Sequence, residues 1–364
     1  MKRILITGAG GPGAVNMARS LRLAPEPVFL VGCDASPFYV HLAETHERKV
    51  VPRASDTEAY LAAVNDLVRK FELDLVLPNN SIEAAVLSQH RDRLAAPVFL
   101  PRPQTLAVAN SKWESYALWR EADIPVPDTV LLESPHDVAG AFEQIGTNPV
   151  WVRGAGIPGK GIGVASLPCR TVDQAIQWVD YWKGWGGMIA STYLPGDNLT
   201  WIGLWNNGRL VTSQSRERLA YVIPHVSPSG ITGAPAISRT IHRDDLNDLG
   251  RRATHALDEG FDGVGFLDFK CDEDGRPFIT EINAGRFGTT HHFYTVAGLN
   301  LPWLLVQLAL GESLPKDLPR LDPLPENLYW IRTLDCGPVL VDGKELSKQE
   351  LVPRPAPPHA GNGN

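Results

Sequence analysis

Cysteine is scarce in this chain: four residues in 364, at Cys33, Cys169, Cys271 and Cys336. Their wide separation excludes a dense disulfide framework and any closely spaced thiolate metal site. Reduced thiols in a cytoplasmic protein are the expectation. Basic clusters are also missing. The 34 Lys and Arg are interspersed with 41 Asp and Glu, for a net charge of −7. No tract offers the positive surface that a nucleic acid or an anionic membrane needs. Long apolar runs are absent as well. The run Ile4–Ile6 is too short for a secretory leader. The greasiest stretch, Leu299–Leu310, is interrupted by Asn300 and Gln307 and reads as a core helix.

What the chain does have is alternation. Arg3–Thr7, Val28–Cys33, Leu73–Leu77 and the weaker Val98–Leu100 read as strands. Helical patterns at Ala14–Leu23 and Thr57–Phe71 lie between them. Such alternation predicts a parallel sheet covered on both faces. Pro97, Pro101 and Pro103 then mark a boundary. Ser111 is a good N-cap for a helix running to about Ala122. Pro149–Val152 and Gly163–Ser166 read as strands around a glycine-rich turn, and β signals dominate from Met188. A helix over Asp244–Glu259 precedes a hairpin at Val264–Asn283, and Leu328–Leu334 is a further strand. No internal repeat is present.

The hairpin carries the chemistry. Asp274-Gly275 is a favoured two-residue turn. With that loop, Asp268 falls opposite Glu281, and Asn283 lies on the same face. Opposed carboxylates repel each other unless a cation lies between them. An Asp, Glu and Asn set with open positions suits Mg²⁺ completed by phosphate oxygens. An acidic, solvent-facing hairpin is the plain alternative.

The run Asp268, Glu281-Ile282-Asn283, Arg286 resembles the metal and catalytic segment of ATP-grasp ligases, of the kind related to the large subunit of carbamoyl phosphate synthetase. The resemblance implies that Asp268, Glu281 and Asn283 bind two Mg²⁺, with Mn²⁺ able to substitute. It implies that Arg286, three residues after the Asn where the family has two, orients the transferring phosphoryl group. Lys112, in NSKWESYALWREADIPVP, and Arg153, where the family has Lys, resemble the residues that reach the ATP phosphates. Gly159, Lys160 and Gly161, in RGAGIPGKGIGV, resemble the loop that folds over them. Thr192, Tyr193 and Leu194 resemble the adenine hinge, although Ser191-Thr192 replaces the usual acid or amide, and Asp197 falls where the ribose is held. Arg216 or Arg218 stands where relatives place a basic group for substrate, and Arg218 is taken as catalytic. His291-His292 are assigned no role.

The implied fold is α/β. A Rossmann-like parallel-sheet domain (1–108) is followed by a two-subdomain α+β ATP-grasp fold. That fold comprises a lid (109–186) and a larger metal-bearing part (187–314), with an extension (315–364) whose end, Pro353–Asn364, is expected to be disordered. The implied activity is ATP- and Mg²⁺-dependent formation of an acyl phosphate from a carboxylate and its transfer to an amine. The partners are small molecules, with no nucleic acid or membrane, and a homodimer is left open. Two rival readings stand beside it. Gly8, Gly10, Gly13 and Asp34 form a dinucleotide fingerprint after a strand, which favours an NAD(P)-dependent oxidoreductase. A non-catalytic nucleotide-binding protein is the other.

Overall fold

The computed structural model describes residues 1–157, 165–227, 229–231, 233–334 and 339–346. Strands β1 (Lys2–Thr7), β2 (Val28–Asp34), β3 (Glu47–Val50) and β4 (Leu75–Leu77) form a parallel sheet in the order β3-β2-β1-β4. Its central strand shows why such strands read as unbroken apolar runs. Ile4 and Ile6 pack with Met17 and Leu21 of α1 (Pro12–Arg22), whereas Leu5 packs with Tyr60, Leu61 and Val64 of α2 (Thr57–Phe71). Helix α3 (Ser81–Gln89) is capped by Asn80, whose side chain accepts from Glu83 N at 2.8 Å.

Three details differ from expectation. Helix α1 starts at Pro12, two residues early, because proline suits the first helical turn. Strand β3, whose residues alternate between half-buried and exposed, is too polar to stand out in the sequence. Val98–Leu100 is not a strand. It lies between Pro97 and Pro101, which have no N–H to give a ladder.

Helices α4 (Pro103–Asn110) and α5 (Lys112–Glu121) lead out of the first sheet. Trp119 of α5 donates to Ala253 O at 3.0 Å, which ties this connection to the far side of the molecule. A second sheet contains β5 (Thr129–Leu132), β6 (Val150–Gly154), β7 (Leu167–Cys169) and β8 (Met188–Thr192), antiparallel in the order β5-β8-β6-β7. Helices α6 (His136–Ile145) and α7 (Val172–Tyr181) close its core through Val138, Ala141, Ala175 and Val179. The strand expected at Gly163–Ser166 instead begins at Leu167; residues 163 and 164 lie outside the described residues.

The third sheet holds β9 (Asn198–Asn206), β10 (Arg209–Tyr221), β11 (Pro235–Ile241), β12 (Gly263–Cys271), β13 (Pro277–Ala284), β14 (Leu328–Ile331) and β15 (Val339–Asp342). They are antiparallel in the order β13-β12-β9-β10-β11-β14-β15. On one face, Trp201 packs with Leu246, Leu249 and Ala253 of α8 (Asp244–Leu257). On the other, Ile202, Leu204 and Phe266 join the core of α9 (His292–Val296) and α10 (Leu301–Ala309). That second face is apolar only as far as Phe266. Beyond it, the same parity delivers Asp268 to an open cleft. Among the described residues no helix is long and apolar enough to cross a membrane.

Candidate active site

The cleft lies between the second and third sheets and encloses about 1000 Å³. Asp268 of β12 pairs directly with Glu281 of β13, and Phe266 with Asn283. The turn that sets this register is not the one expected. Cys271 pairs with Pro277, and Asp272 N donates to Arg276 O, so Glu273, Asp274 and Gly275 form a three-residue loop with Gly275 at φ 79°. This is the type I turn followed by a left-handed glycine. It would displace the ladder by one residue, but a bulge at Thr280 restores it before Glu281. Tyr116 of α5 donates to the bulged Thr280 carbonyl at 2.6 Å, and Thr280 Oγ1 donates to Asp268 O at 3.1 Å.

Side-chain cations lie between and around the two carboxylates. Lys112 Nζ is 3.1 Å from Glu281 and Arg153 donates to the same oxygen at 2.7 Å. Arg218 pairs with Asp268. Burial would raise the Glu281 carboxyl, but Lys112 and Arg153, with Arg218 behind them, hold it well below the usual carboxylate range. Burial lowers the Lys112 ammonium, and Glu281 opposes that shift. Arg286 donates from Nε to Ser81 Oγ at 2.9 Å and also to Asn283 Oδ1, which joins the first sheet's margin to the hairpin.

Arg216 is the odd member of this group. It is 2% exposed. It donates from Nε to Thr200 Oγ1 at 2.7 Å and from Nη1 to Thr290 Oγ1, and lies over the Phe266 ring. It has no acidic partner among the described residues, and burial lowers its pKa to about 10. Lys112, Arg153, Arg216, Arg218 and Arg286 thus face two carboxylates, an excess suited to a polyanion.

At the other end, Thr192, Tyr193 and Leu194 line the cleft as β8 ends, with the Tyr193 ring 6.2 Å from that of Trp151. Asp197 is exposed and does not line the cleft, although its carbonyl accepts from Cys271 N at 3.0 Å. The next residue, Asn198, does line it. So does Lys270, which donates to Gly196 O and which sequence reasoning missed. Its position two residues beyond Asp268 on one strand was the available signal. Gly159, Lys160 and Gly161 lie outside the described residues.

No family model matches the chain. It is 27% identical over 194 residues to the D-alanine–D-alanine ligase of Laribacter hongkongensis, which covers 52% of this chain and 61% of that protein. The chain spans roughly three-fifths of the length of the curated relatives it matches. Among solved structures it resembles the biotin carboxylase domain of Hydrogenobacter thermophilus 2-oxoglutarate carboxylase, in complex with MgADP, ADP and bicarbonate. The TM-score is 0.67 at 16% identity, over 90% of this chain and 73% of that one. It also resembles an L-amino acid ligase from Bacillus licheniformis, with a TM-score of 0.65 at 15% identity over 91% and 79%. The sequence match and both structural matches agree with the ATP-grasp resemblance of the hairpin segment.

The geometry of the N-terminal glycine loop needs no dinucleotide. Gly10 is required because a Cβ there would lie 2.1 Å from Tyr39 O: the chain's own backbone takes the close approach that the fingerprint reserves for pyrophosphate. Asp34 is spent on Gly10 N at 3.0 Å and Ser36 N at 2.8 Å. Beneath the loop, Glu83 accepts from Thr7 Oγ1 at 2.7 Å and Asn80 Nδ2 at 2.6 Å, and burial pushes its carboxyl up to about 7. The oxidoreductase reading is not favoured.

Proposed function

We propose that this ATP-grasp chain is an ADP-forming, ATP- and Mg²⁺-dependent carboxylate–amine ligase. The observation that carries the reading is the direct opposition of Asp268 and Glu281, ringed by Lys112, Arg153 and Arg218 in one cleft. Asp268, Glu281 and Asn283 present the hard oxygen donors that two Mg²⁺, or Mn²⁺ in their place, would take. Bound there, the metal supplies charge neutralisation of the β- and γ-phosphates. Without nucleotide, Lys112 and Arg153 rest on Glu281. Polyphosphate offers them a replacement anion, which frees the carboxylate for metal. Thr192, Tyr193 and Leu194 flank the adenine, with Asn198, rather than the exposed Asp197, near the ribose.

A substrate carboxylate attacks the γ-phosphorus in line, which gives an acyl phosphate and ADP; an amine then takes the acyl group and phosphate leaves. Arg286, fixed by Ser81, faces the transferring group, and Arg218 assists once released from Asp268. Arg216, buried with no acidic partner among the described residues, is the anchor for a substrate anion. The lid keeps water from the acyl phosphate. The working division is 1–108, 109–186, 187–314 and 315–364. The relatives' names make amino acids the first panel to test, singly and in pairs, with ADP release as readout. Pair-dependent ADP supports the ligase. Stabilisation by MgATP with no ADP from any pair would move the assignment to a nucleotide-binding protein.

A further inference from the structure

The aromatic residues of α7 play no part in the chemistry above. Trp178 stacks on Tyr181, with centroids 6.1 Å apart and planes at 15°, and meets the Trp182 edge at 5.9 Å. Trp178 Nε1 donates to Ala165 O at 3.0 Å, which fixes this shelf against the segment that leads into β7. Trp178 and Trp182 line the cleft, as do Tyr221 at the end of β10 and Val226 and Ile231 from the β10–β11 connection. Ser166 Oγ and Ser229 Oγ, 3.3 Å apart, join the two walls. Val226 is 67% exposed and Trp182 37%, so the rim leaves apolar surface open to water. Scattered exposed apolar residues are ordinary, but a contiguous rim on the mouth of a cleft marks a ligand. Further in, the same cleft becomes cationic at Arg216, which has no acidic partner among the described residues. The walls therefore complement a small molecule with an anionic head and a greasy tail.

We propose that one substrate carries a bulky apolar group, an aromatic ring by preference, seated between the Trp178–Trp182 shelf and the Tyr221–Val226–Ile231 wall, with its carboxylate directed at Arg216. This rests on the ligase reading for the reaction, but the recognition is testable by binding alone. L-phenylalanine, L-tryptophan, L-alanine and glycine are titrated calorimetrically into the full chain holding Mg²⁺ and a non-hydrolysable ATP analogue, and the same four are then assayed for ADP release in pairs. The expected result is at least tenfold tighter binding of the aromatic amino acids. Trp182→Ala should erase that preference, Trp182→Phe should retain it, and both should bind the analogue as the parent does. Equal or tighter binding of glycine or alanine, no binding by any of the four, or a preference untouched in Trp182→Ala and Trp178→Ala overturns the assignment. So does a dimer that Val226→Asp dissociates, because a second copy would then cover the rim. An aromatic preference without ADP from any pair upholds the pocket and overturns only the ligase reading.

Discussion

Two carboxylates, the buried Glu83 under the glycine loop and the half-buried Glu281 on the hairpin, have opposite electrostatic fates. Burial pushes Glu83 up to about 7, and its hydrogen bonds come from the neutral Thr7 and Asn80. Glu281 is held well below the usual range because Lys112 and Arg153 converge on it. Desolvation acts on both, and the difference is the presence of cations. The N-terminal loop has the glycine spacing of a nucleotide site, and the Tyr39 backbone fills the approach. The hairpin has kept charge facing open volume. A glycine spacing reports how closely a backbone can be approached, whereas converging charge reports what approaches it.

The comparison breaks most visibly at Glu281. Glu281→Gln should lower ADP production by at least about a thousandfold, because an amide is a poor bridge between cations. It also strands Lys112 and Arg153 without their anion, so the nucleotide-free protein should lose about 3 kcal/mol in a denaturant titration. MgATP should restore part of that loss by giving both cations a new partner. Wild-type-like ADP production would sink the metal assignment. Next in size, Arg153→Ala and Lys112→Ala should each weaken ATP binding about ten- to a hundredfold by calorimetry, with the fold retained. Unchanged affinity in both would move the phosphates elsewhere in the cleft.

The order of these effects also shows how much was legible in the sequence. The pairing of Asp268 with Glu281 was legible, but through two departures that cancel. The tight turn assumed at Asp274-Gly275 is a longer loop, and the bulge at Thr280 repairs the count. Alternation of side chains reveals a face, whereas bulges are set by contacts such as Tyr116 on Thr280 O, which are distant in sequence. Ser111 as a cap and Thr57–Phe71 as a helix were legible because they are local. Arg216 and Arg218 were indistinguishable in sequence, since both share one face of β10. Only the placement of Asp268 and Thr290 separates the arginine held by a carboxylate from the one held by hydroxyls. Lys270 was missed because it is not one of the residues that form the hairpin motif.

Glu83 gives a smaller, pH-dependent effect. Its carboxyl is raised from 4.5 to about 7 in the folded chain, so the folded state holds a proton that the unfolded state releases between those values. Its contribution to stability is therefore fully present below about pH 4.5 and is lost as the pH rises through 7. Glu83→Gln keeps the shape and removes the titration. The variant should show a flatter stability curve between pH 5 and 7.5, and at pH 8 it should gain on the order of 1–2 kcal/mol relative to the parent. Parallel curves for parent and variant would mean that the buried carboxyl titrates normally.

The smallest effect is expected at Asp34, which a dinucleotide site would make the ribose ligand. Its two oxygens hold Gly10 N and Ser36 N, and Tyr39 O occupies the approach to Gly10. Asp34→Asn keeps one oxygen acceptor and offers an NH₂ where Gly10 or Ser36 already donates. It should therefore cost about 1 kcal/mol of stability from one lost hydrogen bond. It should leave ATP affinity unchanged, because the loop lies outside the cleft lining. NADH should bind neither the parent nor the variant in calorimetry at micromolar protein. Micromolar NADH binding that Asp34→Asn abolishes would show that the Tyr39 segment moves aside, and would make the glycine loop a working nucleotide site.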